Sequence, residues 1–140
     1  MDIAPLLHIG PGVTALIGGG GKTTLMDTLA AELRRRGTVI VTTSTHIRRP
    51  ADYPVLTSGD EKAVSAALAR SGAVCVAAES VEGKLTAPAL PFEALSALAD
   101  FVLVEADGAK RLPLKAHAPH EPVIPACARQ TVYVLGVDGF

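Results

Sequence analysis

The chain has 140 residues, of which 49% are hydrophobic and 19% charged, with a net charge of −1 and a pI near 6.4. That is enough apolar material for one domain over 1–140 with a sizeable core. The near-neutral balance gives no electrostatic case for nucleic acid or an anionic membrane as partner.

Met1-Asp2-Ile3-Ala4-Pro5 carries no basic region of the signal-peptide kind, and no apolar run approaches the roughly 20 residues needed to span a bilayer. The expected location is cytoplasmic. Residues 2–8 read as a short leading helix stopped by Gly10-Pro11-Gly12. Val13–Ile17 reads as a buried parallel strand that opens onto four glycines. From Lys22 to Arg36, leucines at 25, 29 and 33 mark a helix, with Arg34–Arg36 at its negative end and Gly37 as stop. Thr38–Thr42 is a second strand. Asp60–Arg70 is a second helix, with Ser58 or Asp60 as cap and Gly72 as stop. Ala73–Ala78 is a third strand, which Gly83 can turn back as a hairpin. Pro91–Ala99 is a third helix with proline in its first turn. Phe101–Val104 and Thr131–Leu135 complete the strands. Cys75 and Cys127 form no C-x-x-C pair, which fits a reducing compartment and packed thiols. Alternation of this kind predicts an α/β fold with a mostly parallel sheet covered on both faces. Ligands of such sheets bind beyond the carboxyl ends of the strands.

The glycines lie at that end. "ALIGGGGKTTLM", residues 15–26, is nearly the Walker A pattern G-x-x-x-x-G-K-[ST], but Leu16 stands where the first glycine belongs. The phosphate-facing positions are all present. Gly18, Gly19, Gly20 and Gly21 let backbone N–H groups close around an anion, and the following helix adds its positive end. Lys22 would reach the β- and γ-phosphates, Thr23 would hold Mg²⁺, and Thr24 continues the binding set. The plain alternative is a bare strand-to-helix turn. A metal site of this kind needs an acid at the end of another apolar strand, and "FVLVEADG", residues 101–108, supplies two. Glu105 emerges first and is the expected Mg²⁺-linked acid; Asp107 is the candidate to orient a nucleophile or hold an acceptor. The plainer alternative for either one is solvated charge at a strand end. Thr43 and Thr45, in "TTSTHI", could meet the γ-phosphate or metal, or could serve only their strand.

The segment from Glu105 to Pro125 is broken by Pro113, Pro119, Pro122 and Pro125, so it cannot be one long helix. Between Gly108 and His120 it holds Lys110, Arg111, Lys115, His117 and His120 without an acid, and Glu121 follows. A loop of this length is usually functional or mobile. The expectation is a ligand-ordered lid whose cations meet a phosphate or an anionic acceptor, against the plainer reading of a solvated connection. His117 and His120 alone make a weak zinc pair.

Taken together, "ALIGGGGKTTLM", "VIVTTSTHI", "EADGAKRLPLKAHAPHEPVIP" and "VYVLGVDGF" resemble the selenium-dependent molybdenum hydroxylase accessory proteins called YqeC, in order and through almost the whole chain. That family also lacks the first Walker A glycine. The resemblance implies a P-loop NTPase-like fold, a nucleotide such as ATP or GTP with Mg²⁺, and a molybdenum hydroxylase or its maturation factors as partners. Family members continue past the "GVDGF" strand, so the resemblance also implies a missing C-terminal part. Base recognition could lie there, which leaves ATP against GTP open.

Three functions fit these residues. Nucleotide hydrolysis could drive the maturation of a metalloenzyme's cofactor, which is the preferred reading. The protein could instead be a small-molecule kinase or nucleotide-dependent transferase. It could also be a nucleotide-responsive binding module without turnover.

Overall fold

The computed structural model describes residues 2–81, 83–107 and 123–135. The apolar run at 13–17 becomes β1 (Gly12–Gly18), and the glycines lead straight into α1 (Lys22–Leu33). Then follow β2 (Val39–Thr43), two short strands β3 (His46–Ile47) and β4 (Val55–Leu56), and α2 (Glu61–Ser71). The expected third strand divides into β5 (Ala73–Val76) and β6 (Ala78–Glu79), and β7 (Leu85–Thr86) returns beside β6. Last come α3 (Phe92–Leu98), β8 (Phe101–Glu105) and β9 (Ala128–Val134).

Six strands form one sheet in the order β4-β5-β2-β8-β1-β9, and every pairing in it is parallel. The remaining three form a small antiparallel sheet, β3-β7-β6. Successive residues of a strand face opposite sides, and the core divides accordingly. Leu16, Val39, Val41 and Leu103 pack under Met26, Leu29 and Leu33 of α1. Val13, Ile40, Val102 and Val104 pack under Val64 and Leu68 of α2 and Leu95 of α3. The result is three layers, with α1 the helix on one face and α2 and α3 on the other among the described residues. No helix among the described residues is long and apolar enough to cross a membrane.

Two sequence expectations change. Residues 2–8 form a single turn rather than a helix, with Leu7 N–H bonded to the Ile3 carbonyl at 3.1 Å and His8 at a positive φ of 57°. So short a segment cannot offset helix nucleation; the Glu32 carboxylate instead accepts from the Ile3 and Ala4 N–H groups at 2.8–2.9 Å. At its other end α1 stops at Leu33, and Arg34–Arg36 turn away through a tighter bond from Arg36 N–H to the Leu33 carbonyl, 2.8 Å. Arg34 caps the helix there and donates to the Ser71 carbonyl, and Arg35 pairs with Asp2 at 2.9 Å.

Candidate functional site

Because β8 lies between β1 and β2, the carboxyl ends of all three strands meet. Glu105 stands in register with Leu16 on one side and Thr43 on the other. Leu16, at the position of the absent Walker A glycine, is fully buried within β1 under α1. The turn proper begins at Gly18, whose φ is +115°. A Cβ there would come within 2.1 Å of the Val134 carbonyl oxygen, so only glycine fits beside β9. Gly19 N–H donates to that same oxygen at 2.8 Å. Gly21 caps α1 at φ 96° with no side-chain hydrogen bond and no acid in the first turn. The N–H groups from Gly20 to Thr24 make no hydrogen bond among the described residues. Five donors at the positive end of a helix are thus left for something else.

Lys22 turns inward. It is 2% exposed, and its ammonium donates to the carboxylate of Asp107, itself fully buried, and to the Asp107 carbonyl at 2.8 Å. The other carboxylate oxygen of Asp107 accepts from Gly18 N–H at 3.1 Å. Asp107 therefore collects the same kinds of donor, a backbone N–H and the lysine, that a bound anion would.

Glu105 behaves differently, although it is only two residues away. The residue is 6% exposed and its carboxylate accepts no hydrogen bond among the described residues, whereas its carbonyl accepts from the Thr43 hydroxyl at 2.9 Å and from Ser44 N–H at 3.1 Å. Burial pushes the Glu105 carboxyl up to about 7 from its ordinary 4.5; the Lys22 ammonium pulls it partly back, while Asp107 and Asp27 push it up. Thr43 also receives Thr45 N–H at 2.9 Å, so the two threonines are tied into the end of β2. Both are buried, and both hydroxyls lie within 3.4 Å of each other.

Thr23 and Glu105 do face a common space. A cleft of about 170 Å³ opens between α1 and the segment after β3. Thr23 and Glu105 line it together with Asp27, Arg48 and Tyr53. The Tyr53 hydroxyl donates to Asp27 at 3.1 Å, and burial, reinforced by the Asp27 charge, pushes its pKa up. Sequence reasoning did not single out Asp27, Arg48 or Tyr53. Asp27 was within reach of it, because it stands four residues after Thr23 and so on the same helix face. Arg48 and Tyr53 arrive through β3, whose two residues carry no readable period. Of the remaining candidates, Thr24 is exposed in the first turn of α1. Lys110, Arg111, Lys115, His117, His120 and Glu121, and the lid assigned to 108–120, lie outside the described residues. Cys75 is buried, which pushes its thiol up to about 12, and Cys127 is partly buried.

A glycine-rich strand-to-helix turn and two strand-end acids at the carboxyl edge of a parallel sheet define an α/β protein whose layout is compatible with P-loop folds. The chain belongs to the YqeC protein family, whose family model matches residues 14–140. It is similar to a curated relative described as the uncharacterized protein YqeC of Escherichia coli (strain K12), at 35% identity over 135 residues. That alignment covers 90% of this chain and 52% of the relative, so the chain spans about half the relative's length. No solved structure matches the chain at a significant level.

Proposed function

We propose that the protein binds a nucleoside triphosphate, ATP or GTP, on the 18–24 loop with Mg²⁺, and acts as an NTPase accessory factor in the maturation of selenium-dependent molybdenum hydroxylases. The observation that supports the nucleotide is the start of α1, where the N–H groups from Gly20 to Thr24 make no hydrogen bond among the described residues and lie next to a buried lysine. The accessory role is supported by family membership alone.

In this reading the phosphates enter the ring of N–H groups, and Lys22 passes from Asp107 to the phosphate oxygens. Asp107 keeps the Gly18 N–H and is the group that would orient an attacking water. Thr23 and Glu105 are the residues that would hold Mg²⁺. Two protein ligands suffice, because this ion usually keeps several waters and takes the rest of its shell from phosphates. When bound, the ion neutralises charge on the terminal phosphate. The cleft beyond Thr23 favours a second reading, a small-molecule kinase or nucleotide-dependent transferase, since it leaves room for another molecule beside that phosphate.

A thermal-shift panel tests the nucleotide. Binding to the folded state alone stabilises by about 2.7 kcal/mol at a hundredfold excess over Kd, so ATP or GTP with Mg²⁺ should raise Tm by several degrees. Equal shifts with AMP, inorganic phosphate and buffer would sink the reading. Phosphate release without an added acceptor then separates hydrolysis from transfer.

A further inference from the structure

The cleft beside Thr23 has a wall built to hold its shape. β3 pairs with β7, the Thr86 hydroxyl donates to the Thr45 carbonyl at 2.9 Å, and Arg49 pairs with Glu79 on the small sheet. The Tyr53 hydroxyl reaches across to Asp27 of α1. Segment 47–53 is thereby fixed at both ends and tied to the opposite side. A merely solvated loop needs none of these bonds.

The lining is of two kinds. Met26, Val41 and Ile47 give a buried apolar side. Against it stand polar groups with unused capacity among the described residues, namely Asp27, Arg48, Asp52 and Glu105. Asp27 receives only the Tyr53 hydroxyl among the described residues, whereas a carboxylate has about four lone-pair sites. Arg48 is exposed and has no hydrogen bond or ion pair among the described residues, in contrast to its paired neighbour Arg49. The volume of about 170 Å³ is close to the roughly 150 Å³ that accommodates benzene, so the space suits about six to eight non-hydrogen atoms. An apolar side with a few placed polar groups is the usual character of a small-molecule site.

We propose that this cleft is a second small-molecule site, taking a short hydroxy or amino acid whose hydroxyl or amine meets Asp27 and whose carboxylate meets Arg48. The nucleotide reading enters only at its inner end, where Thr23 and Glu105 would bring the bound molecule next to the terminal phosphate. Asp27 supplies an acceptor, Arg48 a cation, and the apolar side excludes longer polar chains. The transferase reading gains a substrate class from this assignment. An accessory NTPase gains a co-ligand that reports to its phosphate site.

Titration of the ¹⁵N-labelled 140-residue chain with L-serine and with D-glycerate tests the proposal, first without nucleotide and then with Mg²⁺ and a non-hydrolysable triphosphate. The expected result is saturable shifts at the amides of Asp27 and of residues 47–53 in the absence of nucleotide, for one or both probes. Asp27→Asn and Arg48→Ala should each weaken that binding about tenfold, as loss of a charge-assisted contact does. Arg48 is on the surface, so its variant decides the matter if Asp27→Asn fails to fold. Absence of saturable shifts at these amides with both probes overturns the site, as does undiminished affinity in Arg48→Ala. Shifts there that the nucleotide alone produces, and that neither probe can displace, assign the cleft to the nucleoside and also overturn it. Failure of the nucleotide reading shows elsewhere in the same spectra, as unmoved amides from Gly18 to Thr24.

Discussion

The two longest helices begin in opposite ways. α2 opens on Asp60, whose carboxylate accepts from Lys62 N–H at 3.0 Å, and carries Glu61 in its first turn. Its positive end is answered from within the chain. α1 opens on Gly21, with no cap, no acid in the first turn and five N–H groups unused among the described residues. The charge closest to that end is a lysine, which should make matters worse. It is tolerated because Asp107 holds it in a buried pair. In the proposed reading, a helix start left unanswered in a protein that caps its other long helix is kept for an external anion, and the differences between the two ends can be tested directly.

The largest effect should come from Lys22→Ala. A lysine that served only to reach phosphates could be removed with loss of triphosphate affinity and no disturbance of the fold. The Lys22–Asp107 pair alters that expectation, because both side chains are at most 2% exposed. Removing one member of a buried pair strands the other charge and typically costs about 3–5 kcal/mol. The single variant should therefore lose stability as well as affinity. The double variant Lys22→Met, Asp107→Asn should recover most of the stability in urea denaturation and none of the triphosphate affinity. A single variant as stable as the parent would mean that the pair contributes nothing and that α1 needs no answer at all.

That revision marks what was legible in the sequence. The order of strands and helices, the glycine turn and the acids at 105 and 107 follow from apolar runs and from punctuation by glycine and proline. Gly72 as the stop of α2 and Asp60 as its cap were readable in the same way. What could not be read is who pairs with whom. Nothing in "FVLVEADG" says that Asp107 takes Lys22 while Glu105 looks into a cleft; that depends on β8 inserting between β1 and β2. Of the small antiparallel sheet, the hairpin at Gly83 was readable, but β3 was not, since a strand of two residues has no period to detect. With it went the wall that brings Arg48 and Tyr53 to the site.

The second effect is smaller and separates the two acids. Above pH 7 Glu105 is ionised in a buried place, whereas the unfolded chain ionises it from about 4.5. Between these values the folded state holds more protons than the unfolded one, so stability falls as pH rises through this window. A raised pKa of this size corresponds to a loss of about 3 kcal/mol, complete above pH 7 and absent below 4.5. Glu105→Gln stays neutral throughout. It should match the parent near pH 4.5 and exceed it in stability at pH 8. It should also lose most of the Mg²⁺ dependence of triphosphate binding. Urea midpoints measured across that range check the first part, and parallel profiles for parent and variant would show that Glu105 is not held in a costly charged state.

The smallest effect belongs to the other helix. Asp60→Ala removes the one side-chain bond that satisfies the start of α2, and loss of such a cap typically costs about 1 kcal/mol. Asp60 is exposed, so no packing is lost with it. Glu61 remains and still opposes the helix dipole, which keeps the loss toward the lower end. α2 packs on the face of the sheet opposite α1, through Val64 and Leu68, and shares no core cluster with the glycine turn. Distant sites of this kind add independently. Asp60→Ala should therefore lower the denaturation midpoint slightly while leaving triphosphate affinity where it was. If it weakens nucleotide binding as much as a change in the glycine turn does, the two helix ends are coupled through the sheet, and the start of α1 is not a separately kept site.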